Sequence, residues 1–416
     1  MNKTKLLILT TVFIDVAGVG IVIPILPYYV MRFSSSPFLI TSLFSIYAAC
    51  SFFSAPVIGA ISDTIGRKIA FITSVFSTSL GWFVFAAAPS IPFLFLGRII
   101  DGAAAGNFPI AQAYMSDLSR DDRERTANLG LVGGVIGLAF IVGPLLGGVL
   151  GSVSHTFPFW FVGALAFANA TLGIFFLPET NKKFAERRRP SLELQEKHSH
   201  ILKNVRMSLN PFVPLLRAAK DKSLRPNYWA WFLFGLAFAT LQSVFALYAK
   251  AVFGFNEFIA GIMFACVGVI IALNQIVALR HFWLKYFEEP ALELVMLPIF
   301  AGGFLVMAGP SVAFFITGLM MTALGQSVLR VVMNSQIAAK ADPNMKGEVL
   351  GVTASIIFLS VAIAPLFWGY LFGIDRRIPF VTGATFLLGA FFVLYRNRAA
   401  LRKIHLSETE PVISEI

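Results

Sequence analysis

The chain is predicted to be an all-α membrane protein, with about twelve transmembrane helices arranged as two six-helix bundles related by an internal repeat. Three observations predict this fold: the composition, the spacing of the apolar runs, and a gap-free match between two distant stretches of chain. Of the 416 residues 57% are apolar and only 13% are charged, a balance that cannot furnish a water-soluble surface. Lipid is therefore the solvent for most of the chain.

A hydrocarbon core about 30 Å thick takes roughly 20 apolar residues per helix. Runs of that size lie near 6–30, 38–60, 69–89, 92–118, 127–152, 157–178, 227–251, 257–279, 291–309, 311–338, 349–373 and 378–395. The tightest turns between them fall near Pro92 and Pro310. The first run follows Lys3 and Lys5 but is too long for a secretion leader and lacks a small-residue cleavage site, so it is read as the first span.

Orientation follows from Lys and Arg, because positive loops stay on the cytoplasmic side. With the N-terminus inside, all but six of the 33 basic residues fall in cytoplasmic segments. Arg32, Lys250, Arg376 and Arg377 lie on the other side, and Arg98 and Arg330 lie within spans. Both termini are thus expected in the cytoplasm of a cell bounded by this inner membrane. The net charge of +11 reads as anchoring at anionic lipid headgroups and not as nucleic-acid binding.

Much of that charge sits between Pro178 and Pro226, where Arg187, Arg188, Arg189, Lys197, Lys203, Arg206, Arg217, Lys220, Lys222 and Arg225 accompany no span-length apolar run. This splits the chain into an N-terminal bundle (1–178), a basic linker (179–226), a C-terminal bundle (227–397) and a tail (398–416), disordered after Arg402. Cys50 and Cys266 fall inside apolar runs, with no disulfide framework or metal-ligand spacing, and read as small core residues.

The repeat supports the split. Residues 129–150 (LGLVGGVIGLAFIVGPLLGGVL) align without gaps on 350–371 (LGVTASIIFLSVAIAPLFWGYL), pairing Gly130 with Gly351, Pro144 with Pro365 and Gly148 with Gly369. Spans five and eleven are equivalents in a duplicated six-helix unit.

Four pieces of sequence then carry chemistry. The loop after span two reads Gly59-Ala-Ile-Ser-Asp63-Thr-Ile-Gly66-Arg67-Lys68. In it Gly59 lets helices approach, Gly66 permits a tight turn, and Asp63 with Arg67 can bridge to helix ends, including Asp117 at the end of span four and the start of span eleven. It is not a phosphate loop, since no Ser or Thr follows Lys68. Span five carries Gly143-Pro144-Leu-Leu-Gly147-Gly148, preceded by Gly130, Gly133, Gly134 and Gly137, and glycines three or four apart make a smooth face that another helix can seal against.

Span one carries Asp15-Val-Ala-Gly18-Val-Gly20-Ile-Val-Ile-Pro24-Ile-Leu-Pro27. Its Asp15 lies about mid-membrane, where an ionisable side chain is costly unless it faces a cavity or a partner. Span four carries Arg98, Asp101, Asn107 and Gln112; Arg98 and Asp101, three apart, share a helix face and can pair. Arg330 with Gln326, Asn334 and Gln336 in span ten, and Gln242, Asn274 and Gln275, are the polar candidates of the second half. The 43 phenylalanines read mainly as lipid-facing or helix-packing residues.

These pieces resemble the major facilitator superfamily. Gly59–Lys68 resembles its signature loop between spans two and three, the glycine-proline run of span five resembles the antiporter motif of proton-coupled drug exporters, and the opening span resembles the tetracycline-resistance branch. The loop after span eight, near 280–290, lacks the Gly and Asp pattern of the first signature loop. The resemblance implies a major facilitator fold, a substrate site between the halves near the midplane, no cofactor beyond the proton gradient, no enzyme chemistry, and a monomer. It implies proton-coupled efflux of amphiphilic small molecules, with Arg98 linked to proton transfer. Asp101 departs from many tetracycline exporters at its position. Asp15, with no basic residue in its span, should be protonated more readily than Asp101, which has Arg98 beside it. Uptake or exchange of a nutrient or siderophore by the same fold stays open, as does a transporter-like receptor.

Overall fold

The computed structural model describes residues 3–103, 105–181, 212, 221, 223–341 and 346–409. All regular elements among them are helical. Eleven helices are long and apolar enough to cross a membrane, and a twelfth crossing is made by two shorter helices in series. Spans one to three are Lys3–Val30, Pro37–Ile65 and Arg67–Ala86. Spans five to seven are Asp122–Val153, Phe157–Phe176 and Arg225–Phe253. Spans nine to twelve are Glu289–Met307, Val312–Lys340, Lys346–Ile374 and Ile378–Thr409.

Two spans depart from the sequence reading. Span four, expected as one run over 92–118, is Ile91–Ala103 followed by Asn107–Asp117. The stretch Gly102-Ala-Ala-Ala-Gly106 holds no large side chain to brace a continuous helix, and Ala105 N–H bonds back to Gly102 O in a tighter turn. Span eight begins as Glu257–Leu273 and continues as a ten-residue π-helical segment, Asn274–Trp283, then Leu284–Tyr286. Helix therefore occupies most of the expected loop at 280–290. Span twelve likewise runs on to Thr409, past Arg402 where a disordered tail was expected.

Local chemistry sets the helix starts. Ser36 accepts from Leu39 N–H with Pro37 at the first helical position, Asp121 accepts from Glu124 N–H, and Ser311 accepts from Phe314 N–H, each satisfying a donor that the first turn leaves free. Prolines 24, 27, 56, 144, 298 and 365 lie inside helices, as membrane helices tolerate. At the start of span five, Lys5 of span one donates to Glu124 (2.8 Å) and Asn128 (3.0 Å).

The described residues form two compact units. One draws on Met1–Val213, Leu241–Val269 and Val361–Arg376; the other on Pro214–Thr240, Ile270–Ser360 and Arg377–Ile416. The first unit gathers spans one to six together with those ends of spans seven, eight and eleven that lie away from the termini. Its core includes Trp82 stacked on Phe159 at 6.0 Å and Tyr29, whose hydroxyl donates to Phe85 O at 2.9 Å. In the second unit Trp231 Nε1 donates to Thr353 O (2.9 Å), and Phe300 stacks on Phe304 at 5.0 Å. Cys50 is half-buried and Cys266 is exposed. Cys266 is therefore no core residue: where lipid is the solvent, an apolar side chain need not face inward. The linker cations Arg187, Arg188, Arg189, Lys197, Lys203, Arg206, Arg217, Lys220 and Lys222 lie outside the described residues.

Candidate functional site

Spans one to four of the first unit bring the predicted mid-membrane charges together. Arg98 and Asp101 are buried, at 2% and 6% exposure, and pair at 3.1 Å. The Arg98 guanidinium lies over the rings of Tyr47 (4.5 Å), Trp82 (5.2 Å) and Phe85 (5.8 Å), so the aromatic quadrupoles supplement the carboxylate in holding a desolvated cation. Glycines make this packing possible. A Cβ on Gly81 would stand 2.8 Å from Asp101 N, and one on Gly102 2.7 Å from Tyr47 O.

Asp15 faces the same cluster. Asn107, the first residue of the second half of span four, reaches its carboxyl, and the Asp101 carboxylate acts on it electrostatically. Asn107 Nδ2 donates to Thr78 of span three at 3.1 Å. Two acceptors, Asp15 Oδ1 and Asn107 Oδ1, are buried without a hydrogen-bond partner, as is the Arg98 Nε donor. Such a group costs about 1–3 kcal/mol to leave unpaired. Gln112, expected with this set, is exposed on the helix Asn107–Asp117 and does not join it.

The loop between spans two and three is a charge network. Gly66 has φ +99°, a backbone conformation that glycine adopts freely. Arg67 pairs with Asp63 at 2.7 Å and Asp117 at 3.4 Å, and donates to Ser62 Oγ at 2.6 Å. The backbone N–H groups of Arg67 and Lys68 donate to Glu179 (2.9 and 3.1 Å), placing a carboxylate at the positive end of span three. The sequence reading left Glu179 in the linker; its placement just after span six was the available signal. Gly59 makes no close helix approach, since a Cβ there would meet nothing within 4 Å. The charged side chains opening span eleven, Lys346 and Glu348, lie outside the described side chains.

Span five is split in role. Gly130, Gly133, Gly134 and Gly137 would each meet nothing within 4 Å if given a Cβ, whereas one on Gly143 would stand 2.6 Å from Ala17 O and one on Gly147 3.1 Å from Ile21 Cα, both in span one. The Pro144 carbonyl and Gly148 face span eight, while the Pro144 ring lies 2.9 Å from where a Cβ on Gly20 of span one would stand: a Cβ on Gly261 would lie 2.6 Å from Pro144 O and 2.7 Å from Gly148 Cα, and one on Gly268 2.6 Å from Phe140 O. The repeat makes the mirror contact, with Gly369 of span eleven packed on Thr41 and Phe38 of span two. Within the first unit, the span ends away from the N-terminus are thus joined by two glycine seams, five on eight and eleven on two. Gly261 escaped sequence reading because its partner lies more than a hundred residues away; Gly369 was visible only as a repeat match.

Gln242 is half-buried in the first unit. In the second unit Asn274 donates to Ser327 Oγ and accepts from Trp283 Nε1 (2.7 Å), and Gln275 donates to Ser327 O (3.2 Å). Gln326 is buried and Arg330 exposed; Asn334 donates to Arg330 O (3.3 Å). Gln336 is committed to Glu289 at 2.8 Å. Sequence reading missed Glu293, 1% exposed and paired with Arg398 at 2.6 Å.

Twelve apolar crossings, a repeated pair of glycine seams and a buried ionisable cluster define a multi-pass membrane transporter for small molecules. The profile of the Major Facilitator Superfamily matches residues 8–282, and the chain belongs to that family. Its members are carriers and not enzymes, and they need no cofactor. The chain is 24% identical to the class H tetracycline resistance protein of Pasteurella multocida, over 99% of this chain and 98% of that protein. It is 26% identical to multidrug resistance protein 1 of Bacillus subtilis (strain 168), over 91% and 92%. Among solved structures, the human organic anion transporter MFSD10 (TETRAN) matches with TM-score 0.68 at 22% identity, over 94% of this chain and 98% of that one.

Proposed function

We propose that the chain is a proton-coupled exporter of amphiphilic small molecules, of the kind tetracycline-resistance and multidrug-resistance proteins are named for. It works as a monomer in the cytoplasmic (inner) membrane by alternating access, with a six-helix bundle on each side of a basic linker and both termini in the cytoplasm. The observation that carries this reading is the orphaned pair of buried acceptors at Asp15 and Asn107. A proton taken up by Asp15 turns one acceptor into a donor, so the neutral carboxyl is the form the cluster satisfies. The buried Arg98–Asp101 pair beside it supplies charges that rearrange when Asp15 loses its proton. Gln242 in the first unit and Asn274, Gln275, Gln326, Arg330 and Asn334 in the second are the polar side chains offered to a substrate; Gln112, exposed and turned away from the cluster, is not among them. Growth of expressing and control cells across a panel of drugs and metabolites tests the direction: expression lowers accumulation of a substrate in an exporter and raises it in an importer.

Two further expectations belong to this reading. Cysteines introduced at Ser35 and Phe255, both in turns at the sealed end, label from outside intact cells, and one at Ser191 does not; labelling of Ser191 would reverse the topology. Asp63→Asn lowers the transport rate up to about fivefold, the scale of an exposed ion pair, and Arg67→Ala, which also loses Asp117 and Ser62, lowers it further, both with insertion and substrate affinity retained because the loop holds helix ends and does not touch the cavity. Equal losses of binding and transport would place the loop in the substrate path instead. The remaining conformational residues, Gly59, Gly66, Lys68, Asp117, Gly143, Pro144, Gly147 and Gly148, act with them on helix movement.

A further inference from the structure

We propose that His155 and Glu257 form a pH-dependent latch on the seam between spans five and eight, which closes more firmly when the solvent on that face is acidic. The seam runs continuously from Phe140 and Gly268 through Pro144, Gly148 and Gly261 and ends at this pair. His155 Nε2 stands 3.3 Å from Glu257 Oε1. His155 lies in the turn after span five, and Glu257 opens span eight, so the contact exists only while the seam is shut.

The surroundings suit a switch. The Glu257 side chain is 13% exposed and His155 40%; the carboxylate is held and the imidazole is open to solvent. A Cβ on Gly151 would stand 3.4 Å from Glu257 Cγ, which shows the carboxylate stem lying against span five. Asn256 accepts from Ile259 N–H at 2.9 Å, fixing the first turn of span eight. The other charged and titratable groups on this face come from spans one and seven and from the turn after span eleven. Lys250 lies near Glu257 and over the Tyr28 ring at 4.5 Å. Tyr28 donates to Phe255 O at 2.7 Å, and Arg376 donates to Ala251 O at 2.7 Å. None of these is an imidazole, the side-chain type whose unperturbed charge change falls between pH 5 and 8.

The sign follows by linkage. Protonated His155 gains a charge-assisted bond to Glu257 in the closed state only, so proton binding and closure favour each other. Closure is therefore favoured when the imidazole carries its proton and not when it has lost it. On the proposed topology this face is the acidic exterior, and the latch closes the outer gate after the carrier has taken its proton there. That consequence rests on the proposed function; the latch itself does not.

The test keeps the two separable. Ile25 is fully buried against Gly147 and Gly151. Ile25→Cys, in full-length protein with Cys50→Ser, Cys266→Ser and Asp15→Asn, is reconstituted in liposomes with pH set independently on each face. An impermeant maleimide reports opening of the seam with no transported compound. Rates are divided by those of Ser35→Cys in the same background, which removes the pH dependence of thiol chemistry. Lowering pH from 8 to 5.5 on the seam's face should slow relative labelling about fivefold, the scale of a half-exposed ion pair. Acidifying the opposite face should change nothing, and His155→Gln and Glu257→Gln should each flatten the response. Undiminished pH dependence in either variant would overturn the latch, as would a flat response in the chain that retains both residues.

Discussion

Asp15→Asn is expected to abolish uphill, proton-driven export while leaving membrane insertion and a measurable downhill exchange. The amide carries the donor that a protonated carboxyl would offer to the buried acceptors around it, so the cluster stays satisfied and the fold is retained. What the amide cannot do is release the proton, and a carrier fixed in one protonation state completes only the half of its cycle that exchanges substrate. In vesicles with an imposed proton gradient, accumulation should fall to the level set by passive equilibration. Persistent uphill export at an unchanged proton-to-substrate ratio would remove Asp15 from the mechanism and move the proton to Asp101.

Gly261→Val should be nearly as damaging, through geometry and not charge. Its Cβ would sit 2.6 Å from Pro144 O, 2.7 Å from Gly148 Cα and 2.9 Å from Gly148 N, all main-chain atoms with no rotamer to yield. Overpacking of this kind costs about 1–3 kcal/mol, which at about 1.4 kcal/mol per tenfold disfavours the sealed state roughly five- to 150-fold. Transport should drop accordingly, and Ile25→Cys in the Cys50→Ser, Cys266→Ser background should label faster from the seam's face. Wild-type transport and labelling in Gly261→Val would show that spans five and eight need not meet. Gly133→Val, in open space on the same helix as Gly148, is the control and should change transport by less than about threefold, as surface changes do.

Hydropathy disclosed twelve crossings because lipid imposes a length on every helix, and the mid-membrane charges Asp15, Arg98 and Asp101 stood out because they are rare against that background. The break in span four did not, since Gly102-Ala-Ala-Ala-Gly106 is as apolar as the helix around it. The π-helical turn at Asn274–Trp283 has no compositional mark either. Within the site, Arg98–Asp101 was legible because three residues of spacing dictate a shared face. Asn107 was legible only as a polar residue in an apolar run; that it reaches toward Asp15 while bonding Thr78 depends on three helices packing. Glu179, His155, Glu257 and Gly261 act through partners far away in the chain, and one sequence does not contain that pairing. Gln112 shows the converse, a polar residue at membrane depth that faces away from the cluster.

Everted membrane vesicles, energised so that their lumen is acidic and loaded with a pH-sensitive dye, test the central claim most directly. A compound whose accumulation in cells falls on expression is added outside. The account predicts that its entry into the vesicles is accompanied by proton efflux from the lumen, that both stop when the gradient is collapsed, and that Asp15→Asn shows neither. Accumulation of the compound at the same level with the gradient collapsed, and no proton movement on its addition, would contradict proton-coupled export.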